Sequence, residues 1–92
     1  MIEHQSMYLD FIASRGVGKN DKVASSQKSY VDYLNRISKE LSVDVNPALL
    51  RTESDVERIA AKLTRLKVNK GSIDNITVAM RHYVAMVSEK KL

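Results

Sequence analysis

The sequence predicts an all-α protein, a compact bundle of four helices. Three observations predict it. Apolar residues recur at spacings of three and four in four separate segments. No stretch alternates apolar and polar residues for long enough to make a strand. The glycines, the single proline and the capping serines Ser25, Ser26, Ser54 and Ser72 fall where helices start and stop. The 92 residues suffice for one domain, not two.

The first helix is expected at about residues 2–15, with Met7, Tyr8, Phe11 and Ile12 on one face. Gly16 ends it, because glycine accepts the left-handed geometry of a helix C-cap. Residues 17–24 contain Gly18, Asn20 and Asp21 and read as a loop. The second helix is expected at about 25–41, capped by Ser25 or Ser26. Its buried stripe is Tyr30, Tyr33, Leu34, Ile37 and Leu41. Pro47 interrupts the pattern, having no amide to donate, and residues 47–50 read as a short helical turn.

The third helix is expected at about 54–67. Ser54, Asp55, Val56 and Glu57 fit a capping box, with Thr52 as a competing cap. Val56, Ile59, Ala60, Leu63 and Leu66 form its stripe, while Lys62, Arg65 and Lys67 suit the negative end of its dipole. After a short connection, Ser72 caps a fourth helix at about 72–88. Ile73, Ile76, Met80, Tyr83, Val84 and Val87 face inward, and Asp74, Asn75, Arg81, His82 and Ser88 face solvent or a partner.

Composition excludes several functions. There are no cysteines, hence no disulfides, thiolate metal sites or cysteine nucleophiles. His4 and His82 alone make no metal site, and no metal or other cofactor is expected. Apolar runs of three or four residues are too short to span a membrane. No basic region followed by an apolar stretch marks the N-terminus for export, so a cytoplasmic location is expected. Gly16, Gly18 and Gly71 do not form a nucleotide-binding loop. Ser72, His82 and Asp74 carry no weight as a triad without geometry. Glu53, Asp55 and Glu57 are the acids expected in the first turn of a helix, and Met80 and Met86 are core filler. Neither an enzyme nor a small-molecule substrate is expected.

The net charge of +4 is unevenly spread. Residues 1–15 carry −1 and residues 39–59 carry −2. Residues 16–30 carry +2, from Lys19, Lys22 and Lys28 against Asp21, and residues 60–92 carry +5. Each basic block leads into or along a helix. Such blocks either solvate a helix face or attract phosphate backbones through Coulomb force and counterion release.

Two stretches together resemble a family. The run from Tyr8 through Phe11 and Ile12 to Arg15, Gly16 and Val17 looks like the first helix of the core-binding domain of tyrosine recombinases, the phage-integrase type. Ser26, Tyr30 and Leu34 match the opening of that domain's second helix, and Thr52 to Val56 resembles the start of its third. Ser72, Ile73, Ile76, Arg81 and Tyr83 follow the pattern of its last helix. The resemblance spans about residues 7–87. It departs in a longer stretch at 18–24, an enlarged loop at 41–52, and the absence of a following catalytic domain.

The resemblance implies the integrase core-binding, or SAM-like, fold and half of a clamp on double-stranded DNA, without strand exchange. Carried over, Ser25, Ser26, Lys28 and Ser29 belong to the second-helix start, and Ser72, Asn75 and Arg81 to the fourth helix. Lys19, Lys22, Lys67 and Lys70 would neutralise phosphates. Asn75 and Arg81 are suited to adenine and guanine edges, although Arg81 equally suits a structural bond to a carboxylate. Tyr30 and Tyr83 lie on apolar stripes and belong to the core. The alternative on the same scaffold is a protein–protein interaction or dimerisation module, because a fold does not fix a function.

Overall fold

The computed structural model describes residues 2–14 and 26–92, the backbone alone at Ser26 and Gln27. Four α-helices follow one another: α1 (Gln5–Ser14), α2 (Ser26–Leu41), α3 (Glu53–Arg65) and α4 (Lys70–Glu89). No strand occurs among the described residues; a single parallel bridge joins Ile2 to Val45. The all-α, four-helix reading is correct. The expected stop at Gly16 and the loop at 17–24 lie outside the described residues.

Helix α4 is the centre. It packs most extensively on α2 and α3 and also touches α1, which leans on α2 as well. Its inward face, Ile73, Ile76, Ala79, Met80, Tyr83, Met86 and Val87, is buried against Tyr8, Phe11 and Ile12 of α1, Leu34 and Ile37 of α2, and Val56, Ile59 and Leu63 of α3. Burying a side chain of this size contributes about 1.5–3 kcal/mol. No buried side-chain nitrogen or oxygen among the described residues lacks a partner. Val45 and Leu50, in the loop between α2 and α3, are fully buried too. The Cα radius of gyration, 12.4 Å, agrees with the roughly 12 Å expected of a folded chain of this length.

Helix ends differ from expectation by a few residues, each for a local reason. Helix α1 starts at Gln5 rather than near Ile2, because Ile2 pairs with Val45 and His4 adopts a left-handed backbone, φ 61°. Thr52, not Ser54, caps α3. The Asp55 carboxylate turns back to accept the Thr52 N–H and the Arg51 N–H, both at 3.0 Å. Asn69, not Ser72, caps α4, its Oδ1 accepting the Gly71 N–H at 2.8 Å. Around Pro47, the Asn46 carbonyl and side chain both accept the Leu49 N–H, forming the expected turn.

Helix α3 ends two residues early, in a Schellman motif. The Lys67 N–H bonds the Thr64 carbonyl at 3.0 Å and the Val68 N–H bonds the Leu63 carbonyl at 3.1 Å, with Lys67 at φ 61°. Leu66, expected in the buried stripe, is therefore rotated outward and is 50% exposed. Met7, expected on the inner face of α1, is also exposed.

Two hydroxyls tie the ends of the chain together. The Tyr8 hydroxyl donates to the Ala79 carbonyl and the Tyr83 hydroxyl donates to the Glu3 carbonyl, each at 2.9 Å. The two rings stand 5.7 Å apart. The Tyr83 phenol is pushed up to about 12, first by burial and then by the negative charge of Glu3; burial raises that of Tyr8 as well.

Candidate nucleic-acid interface

The expected contact residues fall into three groups. Lys19, Lys22 and Ser25 lie outside the described residues, and of Ser26 only the backbone is described. Lys28 is exposed and Ser29 half-buried on the first turn of α2. Lys67, Lys70, Ser72, Asn75 and Arg81 all belong to α4 or to the turn that leads into it.

The turn between α3 and α4 concentrates charge. Lys67 projects from the left-handed residue of the Schellman turn, and Lys70 opens α4 one residue after its cap. Lys62 and Arg65, read from the sequence as part of the basic block and as partners of the α3 dipole, are exposed at the same corner. Among the described residues, none of these four cations stands within ion-pair distance of a carboxylate. Lys70 occupies the first turn of a helix, where the dipole disfavours a cation. A bound anion would offset that disadvantage.

The first turns of the helices differ in sign. Those of α2 and α4 contain no acidic residue, and each carries a lysine, Lys28 or Lys70. The first turn of α3 carries Glu53 and Asp55. Asp55 is held below the ordinary carboxylate range, chiefly by the Arg51 N–H; partial burial opposes this, and the Thr52 N–H and Arg58, at 2.6 Å, reinforce it. The acids at the start of α3 are paired, Asp55 with Arg58 and Glu53 with Arg81, whereas the starts of α2 and α4 carry a lysine each.

Ser72 is half-buried, and the Asn69 side chain takes the Gly71 N–H and, at 3.4 Å, the Ser72 N–H. Those two amides are therefore already bonded. Asn75 is exposed on the outer face of α4, near the half-exposed Val78. Arg81 lies eleven residues beyond Lys70, about 16 Å along the axis and about three whole turns on, hence on the same side of the helix. Its Nε donates to Glu53 Oε1 at 2.8 Å, the structural bond to a carboxylate that the sequence left open. His82, expected to face solvent, is half-buried with its ring 5.6 Å from that of Tyr30. That contact sets the first turns of α2 beside His82 of α4. Tyr83 is fully buried and Tyr30 packs against the core from its edge.

The chain matches no known protein family, no characterised protein and no solved structure. Two cavities open among the described residues. One of about 370 Å³ is lined by Arg51, Val87, Ser88, Lys91 and Leu92, and one of about 330 Å³ by Met7, Asp10, Phe11, Ser14 and Lys90. Neither contains an expected contact residue. Among the described residues no three His, Asp or Glu side chains converge as a metal site, and no helix is long and apolar enough to cross a membrane.

The sequence did not reveal which cations are free and which are paired. Lys62, Arg65, Lys67 and Lys70 are neighbours along the chain, so their clustering was visible as a charge block. Glu53 is 28 residues from Arg81, and only the antiparallel docking of α3 on α4 brings the two together.

Proposed function

We propose that this chain is a non-catalytic module that binds double-stranded DNA in the cytoplasm, in the manner of an integrase core-binding domain. The observation that carries the reading is the corner between α3 and α4, where Lys62, Arg65, Lys67 and Lys70 stand exposed, none of them within ion-pair distance of a described carboxylate. Paired surface charges would be screened locally; unpaired ones at one corner project a field that a phosphate backbone can satisfy. The sequence resemblance supports the same reading, with four helices in the expected order.

In this reading the corner lysines neutralise phosphates and fix the register, carrying no sequence information themselves. Lys28 extends the footprint from the start of α2. The start of α2 and the corner are separated by roughly 18 Å along α4, about the span of five phosphates on one strand. Asn75, on the exposed side of α4 between them, is the side chain suited to reading a base edge.

The test is fluorescence anisotropy of a labelled random-sequence duplex, titrated at several salt concentrations. Four to six phosphate contacts give a log–log slope of roughly −4 to −5, with micromolar or weaker affinity at physiological salt. Lys67→Glu with Lys70→Glu abolishes this binding while leaving the helical circular-dichroism signal unchanged. Absence of binding by the unmodified protein, even at low salt, refutes the proposal.

A further inference from the structure

We infer that Glu53 guards Arg81, competing with DNA for it and holding down binding that lacks a suitable site. The inference rests on the DNA-binding reading above and adds to it a residue that opposes binding.

Arg81 differs from the corner cations in one respect. They have no ion-pair partner among the described residues, whereas its guanidinium is bonded at 2.8 Å to the carboxylate of Glu53, from a different helix. Both side chains of the pair are more than half exposed, 57% and 51%. An exposed pair of this kind contributes little to stability and exchanges readily for another anion. Its position is nonetheless well defined. Glu53 opens α3, whose start is held by the Thr52 and Asp55 cap, and Arg81 is flanked by the buried Met80 and Tyr83.

The arrangement makes Arg81 available conditionally. It lies on the same side of α4 as Lys70, so a duplex held at the corner can lie along the helix toward it. A phosphate or guanine edge must then displace Glu53, and the displaced carboxylate is left beside a polyanion. Only a ligand that bonds the guanidinium at two points compensates for the lost pair. Asp55, the neighbouring acid, is not a second guard, since the Arg51 and Thr52 amides and Arg58 already hold it. Asp74, also exposed on this side of α4, lies about 10 Å along the axis from Arg81, so Glu53 is the described carboxylate that bonds Arg81.

The experiment is a double-mutant cycle on the full chain, using wild type, Glu53→Gln, Arg81→Gln and the double variant, with circular dichroism to establish folding. Each is titrated with the labelled random-sequence duplex across a range of salt. Glu53→Gln is expected to tighten binding by about three- to tenfold at low salt. It also steepens the log–log slope by about 0.9, the value of one added phosphate contact. In the Arg81→Gln background the same change is expected to have no effect on affinity or slope. Equal tightening in both backgrounds would overturn the guard, showing that Glu53 acts only through bulk charge. Wild-type binding left unaltered by Glu53→Gln would overturn it too, with the DNA reading still standing. No binding by any of the four folded proteins would overturn both.

Discussion

Lys67 is a cation in a backbone geometry that glycine prefers. A left-handed conformation costs a β-carbon-bearing residue about 1–2 kcal/mol, and Lys67 accepts that cost at φ 61° to close the Schellman turn. Lys67→Gly is expected to raise the thermal midpoint by roughly 4–8 °C, the shift that 1 kcal/mol produces in a domain of this size. The same change should reduce the salt slope of DNA binding by about 0.9. A stabler protein with weaker DNA binding would identify a residue retained for its charge; a lower midpoint would show that the lysine itself supports the turn. The tyrosines give a second expectation at this scale. A phenol whose ionisation is raised in the fold stabilises it fully below about pH 10, the ordinary value. That stability is lost as pH rises through about 12 for Tyr83. Urea midpoints should therefore decline through this alkaline range, and Tyr83→Phe should make the decline shallower while removing the bond to Glu3.

Helices α3 and α4 show how caps decide boundaries. Every helix was legible in the apolar spacing, because an amphipathic stripe is a local pattern. The ends were less legible, because several residues can cap and tertiary contacts choose among them. Ser54 and Ser72 both had the right chemistry, but Asp55 stands three residues after Thr52, and Asn69 reaches the free amides one turn before Ser72. Asn69→Ala is expected to cost about 1 kcal/mol in chemical denaturation, the usual value of a lost N-cap. A β-carbon added at Gly71 would stand 3.1 Å from Asn69 Oδ1, so the cap and the glycine are coupled. Gly71→Ala should stabilise α4 by up to about 1 kcal/mol when Asn69 is already alanine. It should gain less when the asparagine is present. Equal gains in both backgrounds would show that the side chains do not compete.

Across the whole molecule, charge and core are arranged around α4. The basic corner was legible as a block of sequence, and the resemblance placed Lys67 and Lys70 in it. The Arg81–Glu53 pair, the outward rotation of Leu66 and the packing of His82 on Tyr30 were not, because each depends on how helices distant in sequence meet. The buried Val45 and Leu50 were hidden for a related reason: isolated apolar residues around a proline show no periodicity. The hydroxyl bonds from Tyr8 to Ala79 and from Tyr83 to Glu3 carry a consequence for synthesis on the ribosome. They join positions 71 and 80 residues apart. Helix α1 precedes α4 in the order of synthesis; it can lean on α2 first, but the side of it that packs on α4 has no partner until α4 has emerged. During that interval the side of α1 that faces α4 is uncovered, and the two hydroxyl bonds form only after α4 is made.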